Sequence, residues 1–302
     1  MQSKIISALI LTNTLRSSSF ILSRSAANLS FKVLGTTSAD PEKTPIMLLH
    51  GFLGNKKIWH SMGKVMKNTM KRLVVTVDLR NHGVSPHTKS HTYEKMVGDI
   101  QQLYKKLSID EAFLVGYCMG GMTAMCLSLL APKLVSGLVI VEVSPASPSP
   151  FFVNNYPEVL KAMKAVDFKH PKTVRKARKR AKEQLKKIIT DDNMMTGVLS
   201  NINLRDDNTI GWTCNLEVLQ KHFDHISTFP KKFKGMKYRG PTLFIGGQTS
   251  DAIPPDDLTK IRMMFPQAIV HYVPQSGHFV HVDDPKTFME LVMNFVRETQ
   301  TA

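Results

Sequence analysis

The chain has 302 residues, 42% of them hydrophobic, enough for a full buried core in one large folded unit carrying an insertion. No apolar run approaches the length of a membrane-spanning helix. The three cysteines, Cys118, Cys126 and Cys214, lack C-x-x-C spacing, which argues against a disulfide framework or a zinc site. The net charge of +16 is concentrated in two segments, +4 within residues 1–39 and +8 within residues 171–187, so the rest is only mildly basic.

Residues 1–39 hold Lys4, Arg16, Arg24 and Lys32 and no acid. A Ser-rich, acid-free stretch with spaced arginines reads as a mitochondrial transit peptide over residues 1–29. A secretory signal is the alternative, because Ile5 to Leu11 forms a short apolar core.

Apolar runs bounded by turn residues follow at Pro45–Leu49, Leu73–Val77, Ala112–Val115, Leu138–Val143, Thr242–Ile245 and Ile269–Val273, and these are the predicted strands. Between them Tyr93, Met96, Val97, Ile100, Leu103, Tyr104 and Leu107 recur at helical spacing, as do Phe288, Leu291, Val292, Phe295 and Val296 near the C-terminus. Alternating strands and helices predict a doubly wound α/β sheet, with core segments at 30–145 and 240–302. Three prolines and three serines in Ser144–Pro150 break the rhythm. Residues 146–239 then have helical but no strand character and read as an inserted helical cap.

The chemistry centres on Gly116-Tyr117-Cys118-Met119-Gly120, a G-x-C-x-G sequence between a strand-like run and a helix of small and apolar residues. In the serine version of this turn both glycines are required because larger side chains would collide. A thiol at a helix N-terminus beside an imidazole is favoured as thiolate. His278, in the loop after the last predicted strand, is the candidate base. Asp251, just beyond the preceding strand, is the favoured orienting acid, with Glu142 as the alternative. The chain order Cys118, Asp251, His278 is that of nucleophile, acid and base in such folds. Met119 and Phe52, the latter in His50-Gly51-Phe52, are the candidate backbone donors to an oxyanion. His281 reads as a packing neighbour.

Several segments together, Leu49-His50-Gly51-Phe52, Asp78-Leu79-Arg80-Asn81-His82-Gly83-Val84-Ser85-Pro86, Gly116 to Gly121, Val141 to Pro145 and Gly277 to His281, resemble the α/β-hydrolase superfamily. Within it they look most like the α/β-hydrolase domain-containing protein 11 group and related bacterial esterases. The resemblance implies a mostly parallel, eight-stranded twisted sheet with helices on both faces, carboxylic ester hydrolysis, no cofactor or metal, and mitochondrial residence for animal members. The group carries serine where this chain has Cys118 and usually aspartate where it has Glu142; cysteine at the elbow also occurs in relatives similar to dienelactone hydrolases. A small-molecule acyl ester is the expected substrate, the cap aromatics and methionines (Phe151, Phe152, Tyr156, Met163, Phe168, Met194, Met195, Trp212 and Phe223 among them) supplying an acyl pocket. A catalytically silent scaffold binding an acyl ligand or a protein partner is the rival reading, and a redox-sensing Cys118 a third.

The nine Lys and Arg of residues 171–187 read as a solvated cap helix that attracts anionic membrane lipid. They lack the interleaved aromatics of a nucleic-acid surface. No phosphate-binding glycine loop is present, so nucleotide chemistry has no support.

Overall fold

The computed structural model describes residues 26–36, 39–205 and 207–301. Its main sheet is built from β1 (Phe31–Leu34), β2 (Ile46–Leu49), β3 (Val74–Val77), β4 (Ala112–Tyr117), β5 (Val135–Val141), β8 (Thr242–Gly247) and β9 (Ala268–Val273). Strands β6 (Ile202–Leu204) and β7 (Ile210–Trp212) pair with each other elsewhere. The order across the main sheet is β1-β3-β2-β4-β5-β8-β9. All its pairings are parallel except β1 against β3.

Every residue of β2, β3 and β4 is buried. That is why these strands read as unbroken apolar runs: helices cover both faces, so neither face needs polar residues. The helix Tyr93–Leu107 buries the predicted stripe except Leu107, which is half-buried, and Thr92 caps it by accepting the Lys95 N–H. The helix Pro285–Thr301 likewise buries Phe288, Val292, Phe295 and Val296.

The six predicted strands are present, with ends shifted by a few residues. Three expectations need correction. The main sheet has seven described strands, not eight. Its antiparallel edge β1 is four residues long and half-exposed, too short for alternation to stand out. The inserted segment also contains the β6–β7 ribbon, whose three-residue strands carry no period at all. Finally, residues 1–25 of the expected leader lie outside the described residues, but its last residues pack. Ala27 and Leu29 are buried, and the Ala27 N–H donates to Asp99 Oδ1 at 2.6 Å, so the folded chain starts before residue 30.

Between β5 and β8 the chain runs through helices Pro150–Lys164, Val174–Leu185, Asp192–Leu199, Leu216–Lys221 and Phe223–Ser227 together with the ribbon. Parallel strands deliver their following loops to one edge of the sheet. The loops after β2, β4, β5, β8 and β9 meet there, beneath this insertion.

Candidate active site

β4 ends at Tyr117, and Cys118 turns the chain into the helix Met119–Leu130 with φ 49° and ψ −114°. A side-chain-bearing residue adopts such a backbone only when its surroundings hold it there. Here the Cys118 N–H donates to Val141 O at 2.8 Å, and its carbonyl accepts the Met122 N–H at 3.0 Å. A Cβ on Gly116 would collide with the Gly120 carbonyl, and one on Gly120 with the Leu49 carbonyl. Both glycines are therefore demanded by the close approach of strand, helix and the loop after β2.

His278 lies in the loop after β9, and its Nδ1 sits 3.0 Å from Glu142 Oε2, with side-chain exposures of 8% and 0%. Glu142 follows β5 in a left-handed conformation, φ 57°. Its N–H donates to Ile245 O at 3.0 Å, while its carboxylate accepts the Gly247 N–H and the Ser250 hydroxyl. The Glu142 carboxylate is thus held by the end of β8 and the loop after it where it meets the imidazole.

The expected acid is elsewhere. Asp251 accepts the Ser149 hydroxyl on one oxygen and the Phe151 N–H, at 2.7 Å, on the other, at the start of the helix Pro150–Lys164. β5 and β8 are neighbours, with Val141 opposite Ile245, so Glu142 is delivered directly to the loop that reaches His278. Four residues past β8, the chain has moved under the insertion and Asp251 caps a helix instead.

Burial pulls the His278 pKa down, but hydrogen bonding to and the charges of Cys118 and Glu142 outweigh it and raise it to about 10. Nε2, the nitrogen turned away from Glu142, is buried and makes no hydrogen bond of good geometry. His278 therefore favours its protonated form. Burial pushes the thiol of Cys214 up to about 12 and that of Cys126 well above an ordinary thiol.

The N–H groups of Phe52 and Met119 have no acceptor among the described residues. The loop bearing Phe52 is propped by two buried histidines. His50 Nε2 accepts the Leu79 N–H at 3.0 Å, and His82 Nε2 accepts the Leu53 N–H at 3.2 Å. A backbone N–H can only donate, so each accepting nitrogen is unprotonated and each ring is neutral, its Nδ1–H donating to Gly51 O or Arg80 O. Burial lowers both pKa values, that of His82 to about 3.

Residues 44–285 match the family model described as alpha/beta hydrolase fold. The chain is 38% identical over 268 residues to the sn-1-specific diacylglycerol lipase ABHD11 of Mus musculus, covering 89% of this chain and 85% of that one. The corresponding lipase of Danio rerio is 35% identical over 273 residues, covering 90% and 84%. A solved marine microorganism esterase superposes with a TM-score of 0.79 at 28% identity, covering 89% of this chain and 100% of the other.

The chain belongs to the α/β-hydrolase family.

In this α/β-hydrolase a cavity of about 230 Å³ lies against Cys118 and His278, walled by Phe52 on the core side and by Tyr156, Met194 and Val198 of the insertion. A smaller recess of about 20 Å³ touches the same two residues from another side, between Met119, Met122, Phe152 and Ile226. Of the expected pocket residues, Phe168 packs edge-on against Trp212, and Met163 and Met195 are buried in the hydrophobic core. Phe151 instead stands with its ring 5.9 Å from that of His278. His281 packs as expected, its ring 5.2 Å from Trp59 and 4.6 Å from Tyr117. Among the described residues, no group of three or more His, Cys, Asp or Glu is placed to hold a metal ion.

Sequence reasoning missed the role of the Asp78–Pro86 segment, which reads there only as a family signature. Asn81 adopts φ 64°, and its carbonyl accepts the Asn215 N–H at 2.9 Å, so the segment carrying His82 is also tied to the stretch between β7 and the helix Leu216–Lys221. An asparagine before a histidine and glycine was the available signal, since asparagine tolerates the left-handed region.

Proposed function

We propose that the protein is a carboxylic ester hydrolase working through Cys118 as nucleophile, His278 as acid and base, and Glu142 as the orienting acid, with residues 146–239 as the cap. The observation that carries this reading is the Glu142–His278 pair, 3.0 Å apart, with His278 lining the same cavity as the strained elbow at Cys118. The thiolate adds to the acyl carbonyl, the Phe52 and Met119 amides hold the oxyanion, and the imidazolium protonates the departing group. Neutral His278 then takes a proton from water, which releases the acid. The similar lipases carry the name of a diacylglycerol lipase, and the apolar cavity suits an acyl-lipid or other acyl ester of that kind.

Labelling with a thiol-reactive ester mimic, an acyl-chain chloromethyl ketone, read by mass spectrometry, tests the reading. The expected adduct sits on Cys118, spares Cys126 and Cys214, and is lost in His278→Ala. No adduct on a folded protein would leave the silent scaffold as the reading.

The basic run is the basis for a second part of the proposal, docking on anionic lipid. Helix Val174–Leu185 buries Ala177, Ala181 and Leu185, leaving its cations outward, and Ile188 is exposed at its end. Arg178 and Arg180 are tied to Ile202 O and Asp167, whereas Lys172, Arg175, Lys176 and Lys179 are exposed. Cosedimentation with phosphatidylserine vesicles is expected to fall at least severalfold when these four charges are reversed; unchanged cosedimentation would remove the idea.

The acid-free segment before the core supports mitochondrial import. A fluorescent protein fused behind residues 1–29 is expected in mitochondria, and secretion of the fusion would select the signal-peptide alternative.

A further inference from the structure

Cys118 and His278 border two compartments, the larger cavity and the small recess between Met119, Met122, Phe152 and Ile226. The larger has room for an acyl chain, whereas the smaller admits no more than about one water-sized group. Cys118 itself is only 7% exposed, so the sulfur works away from bulk water.

The identity of the nucleophile then constrains the leaving group. When a thiolate adds to an oxygen ester, the tetrahedral intermediate carries sulfur and an alkoxide, and sulfur, much the weaker base, departs first. The intermediate reverts unless an acid protonates the alkoxide as it leaves. With a thioester, two sulfurs of similar basicity, thiol pKa about 8.5, compete on equal terms. A serine at the elbow would have been matched to oxygen esters in the same way. The chain keeps the Glu142–His278 arrangement of a working elbow while carrying sulfur in it.

We infer that a thioester is preferred to an oxygen ester as the acyl donor, its carbonyl held at Cys118 beside the larger cavity. This rests on the Cys118 nucleophile proposed above. In the first step the Cys118 sulfur forms a bond to the acyl carbon of R–CO–SR′ and the bond from that carbon to SR′ breaks. The departing thiolate takes the proton of the His278 imidazolium. One thioester replaces another, with no change of oxidation state. In the second, water gives a proton to neutral His278, its oxygen bonds to the acyl carbon, and the carbon–sulfur bond to Cys118 breaks. The carboxylic acid leaves and the thiolate and imidazolium are restored.

The test uses S-butyryl-N-acetylcysteamine and its oxygen counterpart, 2-acetamidoethyl butyrate, which differ by one atom. Wild-type kcat/KM is expected to favour the thioester by about 100-fold or more, and Cys118→Ser to move the ratio at least tenfold toward the oxygen ester. His278→Gln, which removes the acid but not the sulfur, is expected to widen the wild-type preference, because an alkoxide needs the proton more. Equal use of the two esters by the wild type, or a ratio unmoved by Cys118→Ser, would overturn the inference. Should turnover be too slow to follow, intact mass decides: butyryl transfer to Cys118 from the thioester alone supports it. A Cys118 that takes the electrophilic label but no butyryl from the thioester overturns this inference and leaves the nucleophile standing. A Cys118 that takes neither overturns both.

Discussion

Glu142→Gln is expected to slow acylation of Cys118 by about 10²–10⁴-fold, while Asp251→Asn changes the rate by less than about threefold, both proteins remaining folded. Glu142 is the carboxylate on His278 Nδ1, and the neutral amide can neither pair with the imidazolium nor enforce the tautomer that leaves Nε2 for the sulfur. Asp251 spends both oxygens on Ser149 and Phe151. Its replacement removes a favourable charge from a helix N-terminus, which is worth about 1 kcal/mol. Stopped-flow labelling of the two variants decides between them. A larger rate loss in Asp251→Asn would return the role to Asp251.

Asp99→Ala is expected to lower the unfolding free energy by about 3–5 kcal/mol. Arg80 donates to Asp99 through Nε and Nη2, both at 2.6 Å, and the two side chains are 1% and 0% exposed. Asp99 also accepts the Ala27 N–H, so one carboxylate ties the first described residues to the Asp78–Pro86 segment. Removing it leaves a buried guanidinium without its counter-charge, whereas the double replacement Arg80→Met with Asp99→Leu is expected to lose less, because no charge stays behind. Urea unfolding midpoints at neutral pH provide the check; a loss below about 1 kcal/mol in Asp99→Ala would show that the pair adds little net stability. Because His82 follows Arg80 closely and holds Leu53, the same variant is expected to loosen the loop that carries Phe52.

What could be read from residue order alone was whatever local chemistry imposes. Gly116 and Gly120 flank Cys118 because a sharp strand-to-helix turn excludes a Cβ at both, and that demand is visible in five consecutive residues. The buried parallel strands announce themselves as apolar runs, and the helix Tyr93–Leu107 as a stripe, because burial on two faces or one leaves its period in the sequence. His278 was legible by its place after the last strand.

The choice between Asp251 and Glu142 was not legible, since both follow strands and both reach the same edge of the sheet. Glu142 is brought to His278 by the adjacency of β5 and β8 and by its own left-handed backbone, which belong to the assembled sheet. The short β1 and the β6–β7 ribbon were missed for a related reason: three or four residues hold too little pattern, and only pairing partners distant in sequence make them strands. The apolar and aromatic side chains of residues 146–239 were alike in sequence. Packing alone set Tyr156 and Met194 against the cavity and Phe168 against Trp212, because which side of a helix faces the core depends on what the helix is laid upon.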